Sequence, residues 1–284
     1  VVIKKQKTTI MERHFRLTDE TIDHNGHTLH RIQALIDLPH HSVKAGDFGG
    51  FVEREENLVG EAWVFDNAKV YENAWVYASA KILDYAEIYG SAQVLDDALI
   101  HENAKIYGSA VAKENAIVSG SAQVYGSAKI YGNATLYSSA QVYGNAQVYG
   151  SAVISDGARI YDNASVSGTV QVYDDACVYG DAKIDGSALI YGNAQVRSKA
   201  TVTDSAQVCG QAEVYGLAQI HGLSVVDSSA QVYGTAQVGG DAYITDSAQI
   251  SGNALVTGSA TVCKEAWVYG DTSVANGTID HDMF

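Results

Sequence analysis

Between positions 64 and 274 every sixth residue is Val, Ile or Leu, with Ala112 the single exception, and no residue is inserted or lost along the way. Two places earlier stands Ala, except at Val170, Ser224 and Thr272, and Val52 and Leu58 carry the same phase upstream. A period this strict confines the chain to a repeat architecture, in which each unit buries its apolar face only against its neighbours.

The stretch 121–150, SAQVYGSAKIYGNATLYSSAQVYGNAQVYG, shows the unit. Ala and the aliphatic residue two places on share a face, because strand side chains alternate. The residue between them points outward, as does the Tyr that often follows. Gly, Asp or Ser comes next, then Asn, Ser or Asp; Gly reaches positive φ freely, and Asn and Asp tolerate it. Each hexad is therefore a very short strand and a corner. A helix is excluded, since a six-residue period does not hold one face of a 3.6-residue turn and each Gly would cost about 1 kcal/mol. The outward tyrosines set the number of hexads per turn. Tyr71, Tyr89, Tyr107, Tyr125, Tyr143, Tyr161, Tyr179, Tyr215, Tyr233 and Tyr269 fall on an 18-residue spacing, interrupted by Arg197 and Ser251. Three hexads then make one coil of a triangular parallel β-helix, with coils ~4.8 Å apart.

An aliphatic-x-x-x-small-x hexad at three per coil resembles the hexapeptide-repeat (bacterial transferase) proteins. The resemblance implies an all-β, left-handed parallel β-helix; the hand comes from it and not from the spacing, which leaves handedness open. The stretch VKAGDFGGFVEREENLVGEAWVFDNAKVY also resembles the YdcK-type branch, found in bacteria and phages, whose members are usually called acetyltransferases. One departure is that the superfamily's enzymes often place Gly directly after the aliphatic residue, where this chain prefers Tyr.

Four segments follow. Residues 1–10 precede the first Met and are set apart as an upstream or vector-derived extension. Residues 11–50 lack the period. Asn25-Gly26 between extended runs marks a hairpin, its second strand at residues 27–36, which caps the first coil and covers edges that a solenoid end would expose. Residues 51–278 form the β-helix without loops, and 279–284 a short tail in which Ile279, Met283 and Phe284 plug the last coil. Six of the nine histidines lie in the cap: His14, His24, His27, His30, His40 and His41. They read as surface side chains. His24 and His27 face each other across the turn, too few ligands for a metal, and no metal is expected.

Net charge is −15. Acids at the corners, Asp66, Asp84, Asp96, Asp156, Asp162 and Asp174, are read as turn chemistry, with an acidic DNA mimic as the sharper alternative. No basic stripe exists to neutralise phosphates, so nucleic-acid binding is not expected. Cys209 and Cys263 share a column three coils apart, ~14 Å, too far for a disulfide. With no signal peptide or transmembrane run, a cytoplasmic location away from any membrane is the expectation.

Of the three outer faces, one carries the tyrosine ladder and one is polar. The third carries an apolar stripe of Trp63, Phe65, Leu83, Leu99, Ile117, Val153, Leu189, Val225 and Tyr243, joined by Tyr137, Tyr173 and Tyr191. A stripe of that length calls for a cover, most simply a second copy in a dimer or trimer, otherwise another protein. The ladder reads as structural, with a flat-ligand platform as the alternative. The main functional expectation is a non-catalytic structural or binding solenoid that self-associates and takes no cofactor. The resemblance implies an alternative, acyl transfer from acyl-CoA bound in a groove between subunits, with a His as general base. His101, on the apolar face, is then the candidate. Against it, the superfamily's enzymes usually extrude a loop that shapes the acceptor pocket, and none interrupts these coils. The third alternative is a phage-type inhibitor or DNA mimic.

Overall fold

The computed structural model describes residues 13–283. It is all-β apart from two short 3₁₀ turns at Pro39–His41 and Glu55–Asn57. After β1 (Phe15–His24), β2 (His27–Ala34) and β3 (Phe48–Val52), the chain consists of two-residue strands from Trp63–Val64 to Thr278–Ile279. These stack into three parallel sheets that form the sides of the solenoid. Register confirms the 18-residue coil: Gln123 pairs with Gln141, Ile117 with Thr135 and Lys129 with Gln147. The Ala and aliphatic columns are fully buried along the axis. The core is therefore a ladder of like on like, each strand tied above and below.

Corners obey the turn chemistry of their residues. Gly126 sits at φ +70°, where a Cβ would come 2.9 Å from Gly144 N in the next coil. At many of the left-handed corners held by Asp or Glu the carboxylate accepts the backbone N–H one coil on: Asp84 from Glu102, Glu102 from Gly120, Asp162 from Gly180 and Asp204 from Gly222. A left-handed non-Gly residue costs about 1 kcal/mol, and a charge-assisted bond of this kind offsets it.

β1 and β2 form the hairpin about Asn25-Gly26, with φ +53° and +84° as a primed turn requires, and His24 opposite His27. β2 ends at Ala34, two residues short of the expected Ile36. There the ladder gives way to other partners: Ala34 N–H donates to Asp47 O and Leu35 N–H to His14 O, leaving Leu35 and Ile36 exposed. β3 pairs antiparallel with β2 and parallel with Lys69–Val70, so the hairpin continues the tyrosine sheet rather than lying across the end as a separate lid. Gly49 and Gly50 are required here, since a Cβ on either would lie 2.5–2.6 Å from carbonyl oxygens of Val64 or Ala68.

Two expectations are corrected. Trp63, placed on the apolar outer stripe, is 1% exposed, because the aperiodic cap packs on the first coil, the His14 ring lying 6.3 Å from the indole. Leu38 and Val43 join Trp63 in the core cluster, and His41 packs edge-on to Phe65 at 6.3 Å. His14 and His41, read as surface histidines, are both buried, His14 donating or accepting through Nε2 at 2.9 Å from Ala62 O. Ile279 and Met283 pack on the last coil as expected, Met283 bridging to Val268. Residues 1–10 and Phe284 lie outside the described residues.

Candidate functional site

The ladder is a continuous stack of seven rings from Tyr71 to Tyr179, with centroids 4.7–5.1 Å apart and planes within 9°. Arg197 replaces the next ring and lays its guanidinium 4.1 Å over Tyr215, which stacks on Tyr233. At the next break Ser251 accepts the Trp267 indole N–H at 2.8 Å, and Trp267 packs against Tyr269. Phenol hydroxyls donate to the glutamine of the following coil, Tyr107 to Gln123 at 3.1 Å, Tyr179 to Gln195 at 3.0 Å and Tyr233 to Gln249 at 3.2 Å. Between Tyr89 and Tyr161 both faces of every ring are covered by neighbouring rings, so this part of the ladder presents ring edges. Burial pushes phenols within the seven-ring stack up, Tyr89 to about 12 with help from Tyr107 and Glu87, and Tyr161 to about 12 with help from Cys177.

The hairpin closes the ladder's first ring. Tyr71 is buried with Leu29 and Phe51, and the rings of His24 and His27 each sit 5.4 Å from it. His27 bridges Glu53 at 3.1 Å and Glu72 at 3.4 Å, while His24 meets Glu87 at 3.4 Å. Burial alone would raise the Glu53 carboxyl, but hydrogen bonds from His27 and from Glu72 N–H hold it below its ordinary value. No group of three or more metal-binding side chains occurs among the described residues. Beside this cap lies a cleft of about 470 Å³ lined by Phe15, Ile36, Leu58 and Val59, with Glu55, Glu56 and Glu61 among its polar walls.

On the third face Leu83, Leu99, Ile117, Val153, Leu189 and Val225 are half-buried by their neighbours, and Tyr243 is exposed. Phe65 is partly covered by His41, so the accessible stripe begins at Leu83. From Leu83 to Val225 the outward strand positions of this face hold no Asp, Glu, Lys or Arg. His101 lies within that run, partly exposed, with Nδ1 4.0 Å from Asp84 Oδ2. Sequence reasoning offered only Glu102 as its acidic neighbour. Asp84 stands 17 positions away and is brought near by coil stacking, and it is already engaged by the Glu102 N–H. All three cysteines are free, and burial beside Asp227 pushes the Cys209 thiol up to about 11.

Two segments of the coil match a known repeat. Residues 140–156 and 248–264 are similar to the YdcK beta solenoid repeat. Both begin at the same point of the coil, on the tyrosine face, six coils apart. No curated protein matches the chain. No helix among the described residues is long and apolar enough to cross a membrane.

Proposed function

We propose that the protein is a non-catalytic solenoid rod of the YdcK repeat type that associates with a second copy of itself through the third face. The uncharged run from Leu83 to Val225 carries this reading. Charge depletion, more than bulk hydrophobicity, distinguishes the centre of a protein interface. Two copies each bearing −15 repel over most of their surfaces, and an uncharged side is where they approach at least cost. The run spans eight coil spacings, ~40 Å at ~4.8 Å per coil, and a face ~15 Å wide gives ~600 Å² per copy. Doubled, that passes the ~1,000 Å² expected of a specific interface. Several other outward groups are engaged within the rod, phenols with glutamines on the tyrosine face and corner carboxylates with backbone N–H groups.

Light scattering on a sizing column tests the proposal. A dimer of the 30.2 kDa chain that dissociates in Ile117→Glu or Leu189→Glu supports it, whereas a monomer at all accessible concentrations overturns it. A second reading, acyl transfer from acyl-CoA with His101 as base, draws support from the Asp84 carboxylate near Nδ1. Saturable coenzyme A binding, with activity lost in His101→Ala, would establish that reading; no binding at millimolar coenzyme A would end it.

A further inference from the structure

We infer that the two copies lie antiparallel, each N-terminal cap passing beyond the partner's last coil, with the twofold axis between the coils of Gln171 and Leu189. This rests on the self-association proposed above and adds the orientation and register. The determining feature is the ledge at residues 38–43. Trp63 is paired in register with Lys81 and points outward like it, yet Trp63 is buried while Lys81 is not. His14 packs on Trp63, and residues 38–43 lie on the same side with His41 against Phe65, so the cap stands proud of the third face at its first coil. Its tip is the turn Pro39–His41, where His41 lies against Phe65 and close enough to Lys81 for the two charges to interact.

In a parallel pair, the two ledges would stand at the same height and meet, holding the flat coils apart by the thickness of two chain segments. An antiparallel pair centred on Val153 would set each ledge on the partner's Tyr243 coil. Only when the axis moves toward the C-terminal half does each ledge clear the opposing rod, and the first register to do so sets Lys81 against Thr278. Counting coils inward from there, Leu99 faces Thr261, Ile117 faces Tyr243, Thr135 faces Val225 and Val153 faces Gln207, with Gln171 against Leu189 at the centre.

The second outward column follows the same register. Tyr173 meets Tyr191 beside the axis, and the exposed Tyr137 meets Asp227, a carboxylate that already accepts the Tyr243 hydroxyl at 3.2 Å. Lys81 makes no ion pair among the described residues of its own chain, and the register places beside it the partner copy's Asp280, a carboxylate that within each chain already pairs with Lys264 at 2.6 Å. Each contact occurs twice by symmetry, so each end sets an Asp280 near Lys81 and against Leu83, while Leu99, Ile117, Val153, Leu189 and Val225 lie over uncharged positions of the other copy.

The experiment uses the full chain with a photoactivatable benzoylphenylalanine at position 117, which leaves the native cysteines in place. Cross-linked peptides are then identified by mass spectrometry. Attachment around Tyr243 of the other copy is the expected result. Attachment around residues 117–119 of the other copy, with a dimer still seen by light scattering, overturns the antiparallel arrangement while leaving self-association intact. A monomer removes both. As a second measurement, Ile117→Cys and Tyr243→Cys chains with Cys177, Cys209 and Cys263 replaced by Ser are mixed and oxidised. A mixed disulfide exceeding either homodisulfide at least tenfold supports the register, and a dominant 117–117 disulfide refutes it.

Discussion

Ala112→Val should stabilise the rod. Ala112 is the one break in the aliphatic column, fully buried, stacked between Val94 and Ile130. It begins the leanest stretch of this part of the core, since the next two inward positions are Val118 and Val124. Val at 112 would produce a run of three valines, which the rod already accommodates at 166, 172 and 178, so the space exists within the fold's own range. Two added methyl groups are worth ~1.6 kcal/mol at ~0.8 kcal/mol each. Ordering the new side chain returns roughly 0.5 kcal/mol, leaving about 1 kcal/mol net. For a chain of this size that is a rise of ~2–3 °C in Tm. Because coils couple mainly to their neighbours, unfolding need not be two-state, and amide hydrogen exchange around Val94, Ala112 and Ile130 is the sharper readout. Slower exchange confined to those coils is the expected result. Unchanged or faster exchange would show that Ile100 and Ile106 already fill the gap and that the column is overpacked by Val, refuting the volume argument.

Tyr125→Ala, which loses two stacked neighbours, should cost ~1–3 kcal/mol in chemical denaturation. Tyr149→Ala loses only Tyr131 and should cost about half as much; equal costs would deny the ladder its structural role. Tyrosinate absorbance titration should find Tyr89 and Tyr161 ionising near 12, and ionisation of every tyrosine near 10 would contradict their burial. Acid should weaken the fold in two stages. Burial depresses His14 and His41, although the Ala62 carbonyl partly opposes this at His14 and the Glu61 carbonyl and carboxylate at His41. The unfolded chain therefore binds those protons first, and cap stability falls as pH drops below about 6.5. Glu53 and Asp227 are held below their ordinary values, Asp227 chiefly by the Ser228 N–H, so their contribution is present above about pH 4 and is lost beneath it. Exchange in the cap that stays flat from pH 7 to 5 would contradict the first stage.

Much of the solenoid is written in one dimension. Alternation puts Ala122 and Val124 inside and Gln123 outside whatever else the chain does, and Gly126 can turn a corner that few residues tolerate. With no insertion to disturb the phase, residue 18 positions on must stack above, which is why the tyrosine spacing revealed the coil and the faces sorted correctly. What periodicity could not reach is whatever depends on a segment without a period. Trp63 obeys the outward rule and is buried all the same, because the aperiodic cap packs on the first coil, with His14 6.3 Å from its ring; His14 and His41 are themselves buried there. The Asp84–His101 approach and the corner carboxylates' bonds likewise join residues 17 or 18 apart, and need coordinates to fix which rotamer meets which N–H. Local alternation and turn stereochemistry determined the rod; contacts between its aperiodic cap and its first coils were decided only in three dimensions, where burial depends on what else arrives at the same place.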